Sequence, residues 1–235
     1  MSRWLAAVTT EWSLILLSFA ALDEWSWCAP LIVFLVATRQ HALAILGHEA
    51  AHQNGRLNDW LARLLCWWPM GIDLAAYRRF HFKHHKNLGS VQDPEEVHRL
   101  QLSPWQWRLP ITRKKVAVLF VLDLMGLGMI ETLTAIRVIG KPSGIGWVAP
   151  AVAVASALLF LFCWPLGLLW HYSLLCGPFW TVSRWRMLTE HVGAGKYLTH
   201  ATVEPSLWKR CIFLPHWTWK HAEHHLTPRK RQCKL

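Results

Sequence analysis

The sequence predicts an all-α integral membrane protein of about four transmembrane helices, with interfacial helices and a cytoplasmic cap. Three observations carry that expectation. Of 235 residues, 53% are hydrophobic and 17 are tryptophan, yet the net charge is +11. That combination suits a bilayer protein with basic cytoplasmic surfaces and aromatic residues at the lipid–water boundary. Four apolar stretches reach the roughly 20 residues that a helical crossing takes. The basic residues are segregated between the connections of those stretches. The length allows one substantial domain, residues 1–235, and there is no low-complexity tract.

The first stretch, residues 4–22, carries Glu11, and no A-x-A-like cleavage site follows it, so a signal peptide is not expected. The second covers 28–47. The third, 116–139, contains Asp123 and Glu131, and charges at membrane depth face the bundle interior. The fourth covers 147–176. Of the 25 Lys and Arg residues, 11 lie in 48–115 and 10 in 177–235, whereas 23–27 has none and 140–146 has only Lys141. This bias places the N-terminus and both long segments in the cytoplasm and the two short connections on the far side. The basic stretch "PRKRQCKL" suits anionic headgroups. No nucleic-acid motif accompanies the charge, so nucleic acid is not an expected partner.

Between His52 and His81, "LNDWLARLLCWWPMGIDLAAY" is broken by Pro69 and Gly71. It reads as one or two interfacial helices anchored by Trp60, Trp67 and Trp68. The six cysteines form no C-x-x-C pair, which argues against a disulfide framework or cysteine-ligated zinc.

Histidine spacing carries the chemistry. His48 and His52 are four apart in "LGHEAAHQNG" and share a helix face. "HFKHH" sets His81, His84 and His85 in an H-x-x-H-H pattern, and "HAEHH" repeats it at His221, His224 and His225. At i, i+3 and i+4, three imidazoles converge on one patch of helix. All eight fall on the predicted cytoplasmic side, where they can meet. A catalytic zinc takes three protein ligands, so eight imidazoles suit two metals. Imidazole ligation alone admits zinc, copper, iron or nickel; the membrane setting and the doubled cluster favour iron, which activates O2. His48-Glu49-x-x-His52 by itself also matches an H-E-x-x-H zinc intramembrane metalloprotease with Glu49 as base. A metal-binding membrane protein without turnover is a third class.

The three histidine groups, "HHKNLGSVQDPEE" with its Asp93-Pro94-Glu95 turn, "RMLTEHVG" and "HAEHHLTP" together resemble the membrane fatty acid desaturase and hydroxylase superfamily over roughly residues 30–228. The resemblance implies a non-haem di-iron centre, two Fe with O2 as co-substrate. Its ligands would be His48, His52, His81, His84, His85, His191, His221, His224 and His225. It implies desaturation or hydroxylation of a C–H bond of a fatty acyl or similar lipid chain, with a carotenoid ketolase or hydroxylase as the alternative within the superfamily. Met187 stands where acyl-CoA desaturases carry an asparagine. With no cytochrome b5-like or ferredoxin-like segment in the chain, a separate ferredoxin- or cytochrome b5-type donor with its reductase is expected. The expected location is a bacterial inner membrane with the metal site facing the cytoplasm.

Around the ligands, Glu49, Asp93, Glu95 and Glu190 are candidates to hydrogen-bond and orient ligating imidazoles, as metal-bound histidines require. Candidates to line a substrate channel are His41, His171, Trp217 and Trp219. His98, His200 and His216 are expected to be solvated or interfacial. Arg78 and Arg79 read as cytoplasmic positive charge, with a phosphate-bearing head group or the electron donor as the alternative partner, and Arg184 and Arg186 stay open between the same readings.

Overall fold

The computed structural model describes the backbone of residues 2–163, 165–194, 199–228 and 230, and the side chains of these except 2, 23 and 159–166. The described residues form helices and turns without a strand. In chain order the helices are α1 (Ser2–Glu24), α2 (Ala29–Ala51), α3 (Arg56–Ala62), α4 (Leu74–Asn87), α5 (Pro94–Glu96), α6 (Pro104–Trp107), α7 (Arg113–Leu122), α8 (Gly128–Ile139), α9 (Val148–Cys163), α10 (Pro165–His171), α11 (Pro178–Glu190), α12 (Leu207–Ile212) and α13 (His221–Leu226).

The central helix is α2. Pro30 in its first turn, where a missing N–H costs nothing, starts a run with no further Pro or Gly until Gly47. It buries residues all round, from Ile32 to Ala51. Helix α1 lies against it, and Trp4 Nε1 donates to the Leu46 carbonyl at 3.0 Å. Gly47 lets the 53–73 segment close in: a Cβ there would stand 2.7 Å from the Trp67 ring. Trp67 is therefore a core residue, 2% exposed, and not the interfacial anchor expected from sequence. Trp60 is exposed, as an anchor requires. Gly71 (φ 72), which packs against Ala153 of α9, turns the chain toward α4 through a left-handed conformation open to glycine.

Among the described residues, three helical stretches are long and apolar enough to cross a bilayer: Arg3–Leu22, Ser26–Ala51 and Arg113–Ile139. The third is bent, because Gly126 at φ 93 breaks it between α7 and α8. The stretch 147–176, expected as one crossing, is two legs. Ser156 Oγ lies 3.2 Å from His171 Nε2, whereas a straight helix would separate residues 15 apart by about 22 Å. Helices α9 and α10 thus run back alongside each other; residue 164, between them, lies outside the described residues. The second leg continues past Gly177 into α11, which ends at Glu190, immediately before His191. The connection 140–146 is also relocated. Arg79 donates to the Lys141 carbonyl at 3.0 Å, and a Cβ on Gly146 would strike Asp73. That connection lies on the histidine side, not the far side, because a lone lysine is too weak a charge signal to orient seven residues.

Charged groups inside the bundle are paired. Arg39 on α2 meets Glu11 on α1 at 3.1 Å and donates to the Cys211 carbonyl. Glu11 also contacts His216 at 2.9 Å. His216 and Trp217 are consecutive non-glycine residues at positive φ (53 and 62), a conformation that must be held by its surroundings. Arg184 pairs with Asp123 at 2.5 Å and also reaches Gln106. His98 is 3% exposed and lies 2.7 Å from Glu131. His98 is thus buried, His216 is hydrogen-bonded to Glu11, and Arg184 is an interior cation. Arg78 is committed to Asp59 at 2.6 and 2.7 Å. His200 is half-buried, 2.9 Å from the Val192 carbonyl. Each finds a specific carboxylate or carbonyl that charge counting does not reveal.

Replacing Glu11 by Ala strands Arg39, and breaking a buried pair from one side costs about 3–5 kcal/mol. The expected outcome is a clearly lower melting temperature in detergent. Glu11→Gln, which keeps hydrogen-bonding oxygen and nitrogen in place, should lose less. Equal melting of all three proteins would show that the pair does not hold α1, α2 and the 211–217 segment together.

Candidate metal centre

Four places in the chain present the nine histidines. His48 and His52 leave the last turn of α2 on one face. Helix α4 begins on Asp73, whose carboxylate accepts from Ala75 and Ala76 N–H, a strong N-cap; its last two turns carry His81, His84 and His85. His191 is the residue after α11. Helix α13 is only six residues long, yet it carries His221, His224 and His225.

The nine rings sort into two groups. His48, His52, His81, His85 and His224 form one, and His84, His191, His221 and His225 the other. Within each group the atoms available as ligands lie within 4.8 Å of one another. Each H-x-x-H-H helix serves both groups: the i and i+4 histidines go to one and the i+3 histidine crosses to the other.

The spacing inside the groups fits metal ions. His81 Nε2 is 2.8 Å from His52 Nε2 and 2.9 Å from His85 Nε2. His221 Nε2 is 2.8 Å from His191 Nε2 and 3.0 Å from His225 Nε2. A cation bound to imidazole at about 2.1 Å sets adjacent donors roughly 3.0 Å apart and opposite donors roughly 4.2 Å apart. Both ring nitrogens of His48 and of His224, and Nε2 of His84, are buried without a hydrogen-bond partner among the described residues. Buried polar atoms of native proteins are seldom left so. The donor set and its spacing therefore fit a metal in each group.

Carboxylates stand behind the rings. Asp93, fully buried, lies 2.9 and 3.1 Å from His84 Nδ1; with the proton on Nδ1, the Nε2 lone pair points into the four-histidine group. Glu190 Oε1 lies 3.4 Å from His221 Nδ1 and takes a 2.6 Å hydrogen bond from Arg186. Glu95 Oε1 is 3.8 Å from His84 Nε2. Glu49 adjoins His48 and His52 with Gln53 and His224. Two neighbours were missed from sequence: Tyr77 stacks on His81 with ring centres 5.5 Å apart, and Arg99 lies 3.7 Å from Glu95. Tyr77 sits one helical turn before His81, a spacing from which it could have been found.

The electrostatics favour neutral imidazole. Burial, then the charge of His85, depresses His52 to about 3. Burial, then His84, depresses His85 to about 4. Burial also lowers His81, His221 and His224. For His84 burial is outweighed by Glu95 and Asp93, and its pKa is raised. Burial pushes Glu95 up, but His84, His191 and Arg99 hold it well below the usual carboxylate range.

A cavity of about 410 Å³ lies in the cap, lined by His52, Asn54, Phe82, His85, Lys86, His225 and Pro228. The proposed channel residues do not meet there. His41 is buried, 3.3 Å from Ser183 Oγ and edge-on to Phe179. His171 lies between the α9 and α10 legs. Trp217 and Trp219 lie together with ring centres 6.3 Å apart, and Arg210 stands over Trp219.

Two outcomes are expected. In metal-free protein, histidines of the unfolded chain protonate near pH 6.5 while His52 and His85 stay neutral toward pH 3–4, so stability falls as pH drops below about 6.5. The limit is about 1.4 kcal/mol per pH unit for each such group, and His84, shifted upward, opposes it by one group. Thermal melting between pH 7 and 5 measures this; a flat profile would mean hydrated rings. Asp93→Ala should weaken metal binding roughly 10–100-fold by freeing the His84 ring, read by competition with a chelator.

The sequence pattern of the fatty acid desaturase family matches residues 24–235. An sn-1 acyl-lipid omega-3 desaturase (ferredoxin) of Nostoc sp. (strain 36) is 28% identical over 96 residues, 40% of this chain. The matched segment spans 26% of that relative's length. No solved structure matches the chain. The family match takes in all nine clustered histidines and the carboxylates behind them, and the chain belongs to the fatty acid desaturase family.

Proposed function

We propose that this protein is an O2-dependent, non-haem di-iron oxidoreductase of the membrane that desaturates or hydroxylates a C–H bond of a fatty acyl or similar lipid chain. The observation that carries the reading is the sorting of nine imidazoles into a five and a four, with adjacent nitrogens 2.8–3.0 Å apart. An H-E-x-x-H protease needs one zinc and three protein ligands, which leaves most of these rings without a role. A carotenoid substrate has no observation of its own here.

His48, His52, His81, His85 and His224 would hold one iron, and His84, His191, His221 and His225 the other. When bound, the iron pair supplies the reduction of O2 that makes an unactivated C–H bond reactive. Desaturation then balances as –CH2–CH2– + O2 + 2e⁻ + 2H⁺ → –CH=CH– + 2H2O, and hydroxylation as R–H + O2 + 2e⁻ + 2H⁺ → R–OH + H2O. The chain's own residues position this chemistry. Asp93 fixes the tautomer of His84, Glu190 faces the far nitrogen of His221, and Tyr77 stacks on His81. Such support keeps the lone pairs aimed to within the tolerance that reaction geometry demands. The electrons would come from a separate carrier; the relative's ferredoxin makes a ferredoxin the first donor to try, with a cytochrome b5-type donor next. The cap would face the cytoplasm, where 11 basic residues of 48–115 lie.

The test is iron content per chain after growth on supplemented iron, followed by O2-dependent conversion of membrane lipid with reduced ferredoxin. About two irons per chain, reduced in His84→Ala, and an unsaturated or hydroxylated product are expected. One zinc per chain, kept in His84→Ala and lost in His52→Ala, would overturn the reading.

A further inference from the structure

The two histidine groups are unequal, five against four. Glu95 stands where it can make up the difference. With Nδ1 of His84 committed to Asp93, Nε2 is the nitrogen His84 offers to the four-histidine group. Glu95 Oε1 lies 3.8 Å from that nitrogen. Two donors on one metal at about 2.1 Å are roughly 3.0 to 4.2 Å apart, depending on the angle between them, and 3.8 Å falls inside that range.

The placement is built by the local backbone. The Asp93 carboxylate accepts the Glu95 N–H at 2.9 Å as well as facing His84. Pro94 fixes φ between the two acids. One turn therefore aims the His84 ring and sets the Glu95 side chain beside it. The Glu95 carboxylate makes no hydrogen bond with the described residues. Of the guanidinium groups that act on it, Arg99 Nη1 is 3.7 Å away, while Arg99 Nη2 donates to Glu96 at 2.5 Å. Glu96 meets the charge of Arg99, and Glu95 is left turned toward the histidines.

We propose that the Glu95 carboxylate is an oxygen ligand of the metal in the four-histidine group. This rests on the two-metal reading above and extends it. One centre then has five nitrogen donors and the other four nitrogens and one anionic oxygen, so the two irons are electronically unlike.

The test is Mössbauer spectroscopy of the full-length protein loaded with iron-57 and reduced without O2, alongside iron content. Wild type, Glu95→Gln, Glu95→Ala and, as a control, Glu96→Gln would be compared. Two distinct ferrous doublets are expected in wild type. Glu95→Gln, close to isosteric, should alter one doublet and spare the other. Glu95→Ala should alter the same doublet or bring iron from two toward one per chain. Glu96→Gln should superpose on wild type. Two irons per chain with unchanged doublets in Glu95→Gln would overturn the assignment, whatever the fate of Glu95→Ala. Wild type that never takes up two irons would instead overturn the two-metal reading beneath it.

Discussion

Imidazole nitrogens held about 3 Å apart and out of water dominate this structure. Each neutral ring has one N–H and one lone pair. Where carboxylates or solvent take the N–H groups, the lone pairs face one another. A buried polar atom without a partner costs about 1–3 kcal/mol, and several such atoms converge here. A cation in each group would give those lone pairs the partner they lack. The rest of the fold can be read as the scaffold needed to hold four chain segments still around it.

That scaffold relies on polar pairs placed among apolar helices. Gln40 donates to the Trp170 carbonyl and accepts from Ser173, tying α2 to the leg that leads into α11. Arg184 ties α11 to Asp123 in the bent third stretch. Glu11 ties α1 to Arg39 and to His216, a few residues before α13. The links to Trp170 and to Glu11 each join α2, which presents two of the clustered histidines, to an element that presents none of them. Apolar packing alone is poor at fixing register between helices, since lipid tails are as apolar as leucine; hydrogen bonds and ion pairs are directional and supply it.

Much of the site was readable before the fold. The i, i+3, i+4 spacing survives in α4 and α13 because a helical turn forces those rings onto one patch; which imidazole Asp93 faces, His84, comes only from the fold. The crossing of His84 and His224 into opposite groups was not readable, since it depends on how two short helices face each other. Hydropathy overreached at 147–176. A helix that spans and a helix that folds back are equally apolar, and only the Ser156–His171 contact separates them. Trp67 was misplaced for a similar reason: tryptophan suits both an interface and a core, and the absent side chain of Gly47 decides. The burial of His98 and Arg184 was not readable, because their carboxylate partners lie tens of residues away in sequence.

The exchange of histidines between α4 and α13 reaches beyond ligand geometry. Neither group can be completed by one half of the chain: the five-membered set waits for His224, and the four-membered set cannot close without His84. A nascent chain that has emerged only as far as α11 holds an incomplete version of both. Under the proposed two-metal reading, cofactor acquisition would thereby be tied to α13, and a chain that stops short of it would present neither ligand set complete.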